Sequence, residues 1–118
     1  MCQRPSLKLA TYKDDHFELK NAEGRHSEAP DSFWIPSIEV RNNLRAGDLI
    51  KLIFSMEDQE QPSERHVERM WVEVLAKEGE MYIGRLDNDP LSNVMVKADD
   101  TIHFKAEHVI AVYDDKDT

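Results

Sequence analysis

The sequence predicts an α+β fold: a small, strongly twisted antiparallel sheet, rolled or closed into a partial barrel, with one short helix on its N-terminal side. Three observations predict it. From Gly47 onward, apolar and polar residues alternate in short runs, the period-two pattern of half-buried strands. Turn chemistry separates those runs, at Lys77-Glu78-Gly79-Glu80 and at Asp87-Asn88-Asp89-Pro90. Ahead of them, Pro36-Ser37 and Gly47 bracket a stretch with the start and stop chemistry of a helix. A sheet of about four to six short strands has to curl, or be covered on one face, to bury enough apolar area in a chain this size.

Taken in order, residues 1–30 offer one weak strand, His16 to Leu19, and otherwise look irregular. Ser37 is placed to cap a helix from Ile38 to about Leu44, with Glu39 in the first turn, where the helix dipole favours an acid. In GDLIKLIFS, Ile50, Leu52 and Phe54 share one face, while Leu49, Lys51, Ile53 and Ser55 form a mixed one. The following MEDQEQPSER has the composition of an exposed and mobile loop. Between Val67 and Ala76 the alternation is clean. Met70, Val72, Val74 and Ala76 point one way; Arg69, Trp71, Glu73 and Leu75 point the other. The face of Met70, Val72 and Val74 should pack on Ile50, Leu52 and Phe54 as the main core.

Gly79 can take positive φ in the next turn, and Met81 to Leu86 returns as the second arm of a hairpin. Gly84 within that arm suggests a bulge or a close approach. Asn88 is expected to bond its own turn, with Pro90 ending the strand. Thr101–Phe104 and Val109–Tyr113 read as two short strands or one bent strand, with Lys105-Ala106-Glu107 at the corner. This divides the chain into an N-terminal extension (1–29), a β-rich domain (30–113) and an acidic tail (114–118).

Composition narrows the function classes. The 118 residues hold 24 acids and 15 bases, a formal charge of −9, with 40% apolar and 33% charged residues. That is the balance of a folded globular chain. The single cysteine excludes an internal disulfide framework and a Cys-rich zinc module. An acidic chain is poorly suited to phosphate contacts, so no nucleic acid is expected as partner. The longest apolar stretch, Leu49 to Phe54, contains Lys51 and falls far short of the ~20 residues of a membrane span. No export signal is legible in MCQRPSLKLATYKDD, so a cytoplasmic location is expected, where the Cys2 thiol stays reduced. The acidity is uneven: residues 1–46 are neutral, residues 47–113 carry −7 and the tail −2. The second half is either a solubilising face or a docking surface for a basic partner.

Motifs with chemistry are few. None of His16, His26, His66, His103 and His108 forms an HxxxH, HExxH or HxH spacing, so no metal site is expected. His103 and His108 with Glu107 is the combination nearest to one, and polar-face histidines are the simpler reading. Glu68 and Glu73 lie five apart on a strand and face opposite sides. There is no nucleophile elbow, phosphate-cradling glycine loop or dinucleotide fingerprint, so no catalytic residue and no cofactor is assigned. The aromatics say more. Trp71 sits on the face bearing Arg69 and Glu73, and Phe33-Trp34-Ile35 is a bulky run before Pro36. Either that run covers Trp71 and closes a second small core, or one tryptophan is exposed and anchors a partner.

The blocks FWIPS (33–37), GDLIKLIF (47–54), ERMWVEV (68–74), YIGRLDNDP (82–90) and the closing DDTIHFKAEHVIAVY resemble the bacterial YegJ-like family of uncharacterised domains, over roughly residues 30–113. Related domains are associated with immunity proteins of bacterial toxin systems. The resemblance therefore implies a role in binding and brings no catalytic residues with it.

Two functional classes follow. The first is a non-catalytic protein-binding module, an immunity protein that neutralises a basic toxin being one form of it. Its contact residues would be Trp71 as anchor, Glu73 beside it, and Glu57, Asp58, Glu60 and Glu64 of the acidic loop at the rim. The second is a small enzyme or ligand-binding domain with a pocket between the sheet and the N-terminal segment; a cleft lined by convergent polar groups would favour it.

Overall fold

The computed structural model describes residues 7–31 and 33–113; Cys2 and the acidic tail lie outside them. The fold is α+β. Short helices α1 (Tyr12–Asp15), α2 (Ala22–Glu28) and α3 (Ile38–Asn42) accompany strands β1 (Phe17–Leu19), β2 (Leu49–Glu57), β3 (Arg65–Glu78), β4 (Met81–Leu86), β5 (Thr101–Lys105) and β6 (Val109–Val112). All pairings are antiparallel, in the order β1-β2-β3-β4-β5, and β6 also pairs with β2. Along β2, the residues 50–52 pair with β6 and 54–56 with β1, so two short strands share one edge end to end.

The connection from β5 to β6 forces the sheet to curl. The two strands lie four ladder spacings apart through β4, β3 and β2, about 19 Å if the sheet were flat. Only a 3₁₀ turn of three residues, Ala106–His108, joins them. Even fully extended, that link spans about 14 Å. The sheet closes accordingly into a half-barrel with its core on the concave side.

Ile50, Leu52, Phe54 and Met56 of β2 meet Met70, Val72 and Val74 of β3 there, with Tyr82, Leu86, Ile102, Phe104 and Val109 from the later strands. The expected main core is the observed one. Tyr82 and Phe104 stack at 5.1 Å. The Tyr82 hydroxyl donates to Arg41 O (2.7 Å) and accepts from Leu44 N–H (3.2 Å). Leu44 is thereby drawn into the barrel, which ends α3 at Asn42 rather than near Leu44. Ser37 caps α3 as expected, its Oγ accepting Val40 N–H.

Several local expectations change. β2 runs on to Glu57 and β3 starts at Arg65, so both ends of the expected loop are strand; Met56 is fully buried opposite His66. The turn between is pinned, Gln59 bonding Asn93 O and Val94 O. Ala76, expected on the same face as Val74, is exposed beyond the register shift between them. Gly84 pairs with Val74 at that point, and a Cβ there would lie 2.5 Å from Val72 Cγ1 and 2.9 Å from Glu73 O: this is the close approach its sequence position suggested. Gly79 has φ +61° at the first position of the two-residue β3–β4 turn, as a type II′ turn requires.

Asn88 does not bond its own turn; its Oδ1 accepts Trp71 N–H at 2.8 Å, taking over the ladder where β4 has ended. The final apolar groups form two strands, and residues 91–99 send Val94 and Val96 into the core. The N-terminal region is not irregular: besides β1 it holds α1, capped by Thr11, and α2, capped by Asn21. No helix among the described residues is long and apolar enough to cross a membrane.

Ala22, Ile35, Ile53 and Ile110 form a second, smaller core on the convex side, with Phe33 and Ala111 packed against it. With Tyr12, whose hydroxyl bonds Ser55 Oγ, it accounts for the burial of β2 on both faces from Leu52 to Met56. A small second core was expected, but under Phe33 and Trp34 and over Trp71. It lies instead over Ile53 and Ile110.

Candidate functional site

The convex face carries the exposed aromatics, and the packing of their neighbours decides which. The run Phe33-Trp34-Ile35 belongs to no strand, and burial separates its three side chains. Phe33 and Ile35 turn in toward the second core, and Trp34 turns out, with 72% of its surface exposed. Its neighbours are held. Phe33 N–H donates to Ala29 O (2.8 Å), His26 Nδ1 lies 2.7 Å from Phe33 O, and Ile35 and Pro36 are buried. Trp34 is thus presented by an anchored segment, and it does not cover Trp71.

Trp71 lies on the same convex face, directly opposite Lys51 in the β2–β3 ladder. Its ring is half-buried: Lys51 Nζ sits 4.5 Å from the ring centre and Tyr113 meets it edge-on at 5.9 Å. Tyr113 is fixed by its N–H, which donates to Leu49 O at 2.8 Å, and the residue remains 54% exposed. Between Trp34 and Tyr113 runs a groove of about 590 Å³, walled by Pro36, Ser37 and Val40 of the α3 segment and by Asp48 and Val112 of the sheet edge. Its lining is more apolar than polar, with Asp48 as the charged group. Glu73 lies one ladder step from the groove and is paired with Arg85.

The other sequence-derived contact residues are elsewhere. Glu57 pairs with Arg65 at the far end of the hairpin, six residues along β2 from Lys51, which is about 20 Å. Glu57 meets His16 at 3.3 Å and Arg65 at 3.8 Å. Asp58 Oδ2 lies 3.0 Å from His66 Nε2, and Oδ1 accepts the N–H groups of Glu60 and Gln61. The hydrogen bond to His66, then those from the backbone, hold the Asp58 carboxyl below the usual carboxylate range. Glu60 and Glu64 are exposed. The six residues therefore divide into two sites, Trp71 with Glu73 at one end and the four acids at the other. Among the described residues, Asp58, Glu64 and His66 also bring three ligand-type atoms within 4.8 Å of one another. A search for two ligands on one regular element does not see a group assembled across a hairpin.

The mouth of the half-barrel is the third feature. Lys8 reaches β5 there, His103 Nδ1 being 3.1 Å from its carbonyl oxygen. Two adjoining hollows of about 300 and 400 Å³ share Asp14, Asp15, Phe17 and Thr101. Lys8 and Asp14 pair at the rim; their hydrogen bond raises the lysine pKa and lowers that of the aspartate.

His108 is not a polar-face residue. It is 4% exposed, its Nδ1 accepts Lys105 N–H at 2.9 Å, and burial pushes its pKa down. Glu68 and Glu73 do face opposite ways: Glu68 accepts from Leu91 and Ser92, and Glu73 from Arg85. Burial alone would raise the Glu68 pKa, but the bonds from Leu91 and Ser92 outweigh it and the net shift is downward. Sequence reasoning chose Trp71 rather than Trp34 and Tyr113 as the open aromatic, and the uniformly apolar run Phe33-Trp34-Ile35 carried no signal of which residue would face out.

A family described as an uncharacterized protein conserved in bacteria (DUF2314) matches residues 16–113, most of the chain, and the chain belongs to it. The match begins at His16 and so takes in β1. Searches of curated proteins and of solved structures found no match.

Proposed function

We propose that this family member is a non-catalytic protein-binding module that docks a basic partner on its convex face, with Trp34 as the anchor and Tyr113, backed by Trp71, on the opposite side of the groove. The observation that carries this reading is the 72% exposure of Trp34 on a segment where Phe33 is half-buried and Ile35 and Pro36 are buried. A large aromatic held open beside an apolar groove is the usual material of an interface hot spot. The net −7 of residues 47–113, with Asp48 in the groove wall, supports a positively charged partner that is steered before it docks. A basic toxin, the partner class implied by the sequence resemblance, fits that chemistry.

The test starts from the tagged chain expressed in its native bacterium, followed by binding kinetics on the protein that co-purifies. Trp34→Ala should speed dissociation about tenfold or more at an unchanged melting temperature. Raising salt should slow association, since exposed charges are screened beyond about 8 Å at physiological ionic strength. Equal dissociation rates for wild type and Trp34→Ala would overturn the assignment of the groove.

The cleft at the barrel mouth favours a second reading, a small-ligand site between the sheet and the N-terminal segment. Its polar lining from Lys8, Asp14, Asp15, Thr101 and His103 is the observation behind it.

A further inference from the structure

The tip of the β2–β3 hairpin gathers two carboxylates and an imidazole that groove docking does not use. Asp58 and Glu64 face each other across the tip, with Asp58 N–H donating to Glu64 O at 3.0 Å. Like charges placed opposite one another across a ladder destabilise it. His66, two residues beyond Glu64, turns its Nε2 to within 3.0 Å of Asp58 Oδ2. One oxygen from each acid and one ring nitrogen then lie within 4.8 Å of one another.

Two of the three donors are already oriented. Asp58 Oδ1 is engaged by the Glu60 and Gln61 N–H groups, so Oδ2 faces the His66 ring alone, and a cation would bind there by displacing the hydrogen shared between Oδ2 and Nε2. His66 is half-buried, and the backbone of the tip is tied to residues 93–94 through Gln59. Glu64 is exposed, and its flexible side chain can swing in to bring donors bound at about 2.0–2.2 Å to a common centre. The neighbouring Arg65 is engaged elsewhere, over the Tyr12 ring at 3.7 Å and toward Glu57. An imidazole nitrogen with two carboxylate oxygens suits first-row cations such as Zn²⁺; Mg²⁺ and Ca²⁺ prefer oxygen alone.

We propose that Asp58, Glu64 and His66 form a three-ligand site for a divalent transition-metal cation, with water completing the coordination shell. The site is independent of the Trp34 groove, so either can fail without the other.

The experiment is calorimetric titration of the metal-free full chain with Zn²⁺ in a non-coordinating buffer, with Co²⁺ absorption as a second readout. Saturable 1:1 binding is expected, weakened about tenfold or more in His66→Gln and in Glu64→Gln, and not displaced by excess Mg²⁺. Co²⁺ should give visible ligand-field bands that both substitutions abolish. Because Glu64 is exposed, Glu64→Gln keeps the fold even if His66→Gln disturbs the hairpin. Absence of saturable binding overturns the proposal. So does binding that survives both substitutions, which would place the metal on other histidines.

Discussion

At the scale of single residues, two side chains do work that their local sequence does not announce. Asn88 sits in a turn-forming tetrapeptide, yet its amide oxygen serves Trp71, seventeen residues earlier. Asn88→Ala leaves a part-buried backbone N–H without its acceptor and should cost about 1–2 kcal/mol, read as a lower urea midpoint with unchanged slope. An unchanged midpoint would mean that water replaces the amide at no cost. His108 is the second case. Burial lowers its pKa below the ordinary 6.5, so the folded chain holds it neutral where the unfolded chain takes up a proton. The unfolded state then binds more protons, and stability falls as pH drops below about 6.5, levelling off below the folded pKa. The melting temperature should fall between pH 7.5 and 5.5, and His108→Asn should flatten that slope. Equal slopes would show that another group carries the dependence.

At the scale of elements, the helices are too short to stand by themselves. Arg41 is what ties them together. It is 5% exposed, donates to Pro36 O (2.8 Å) and Ala106 O (3.0 Å), and pairs with Glu23. One guanidinium thus joins α2, α3 and the 3₁₀ turn that links β5 to β6. Arg41→Ala leaves the Pro36 and Ala106 carbonyls without their donor and removes the pair with the half-exposed Glu23, and should cost about 2–3 kcal/mol in chemical denaturation. Amide exchange in α2 should rise with it; protection of α2 at the wild-type level would mean the Ala22–Ile53 packing holds the helix without the clip.

At the scale of the molecule, the half-barrel makes β2 and β3 the shared wall of everything else. Their concave residues supply much of the main core, and their convex residues supply Ile53 to the second core and Trp71 as the support of Tyr113. Val72 is fully buried at the middle of that wall, against the position where Gly84 leaves no room. Val72→Asp places an unpaired charge there and should abolish cooperative unfolding and near-ultraviolet circular dichroism. A native-like melting curve for this variant would contradict the assigned inner face.

The sequence by itself determined the class of fold, the strands from Leu49 onward, the inner faces of β2 and β3, the cap of α3 and the positive φ of Gly79. Each rests on interactions between neighbours in the chain, or on the two-residue period that one buried face imposes. Tertiary structure alone decided the rest. Whether Trp34 or Trp71 stands open depends on which residues Ile53 and Ile110 draw over them. The helices α1 and α2 had legible caps in Thr11 and Asn21, but they are short and nearly without buried residues, so no amphipathic period marks them. The grouping of Asp58, Glu64 and His66, and the separation of those acids from Trp71, follow from the register of one long hairpin. Register is a property of paired strands, and no single segment carries it.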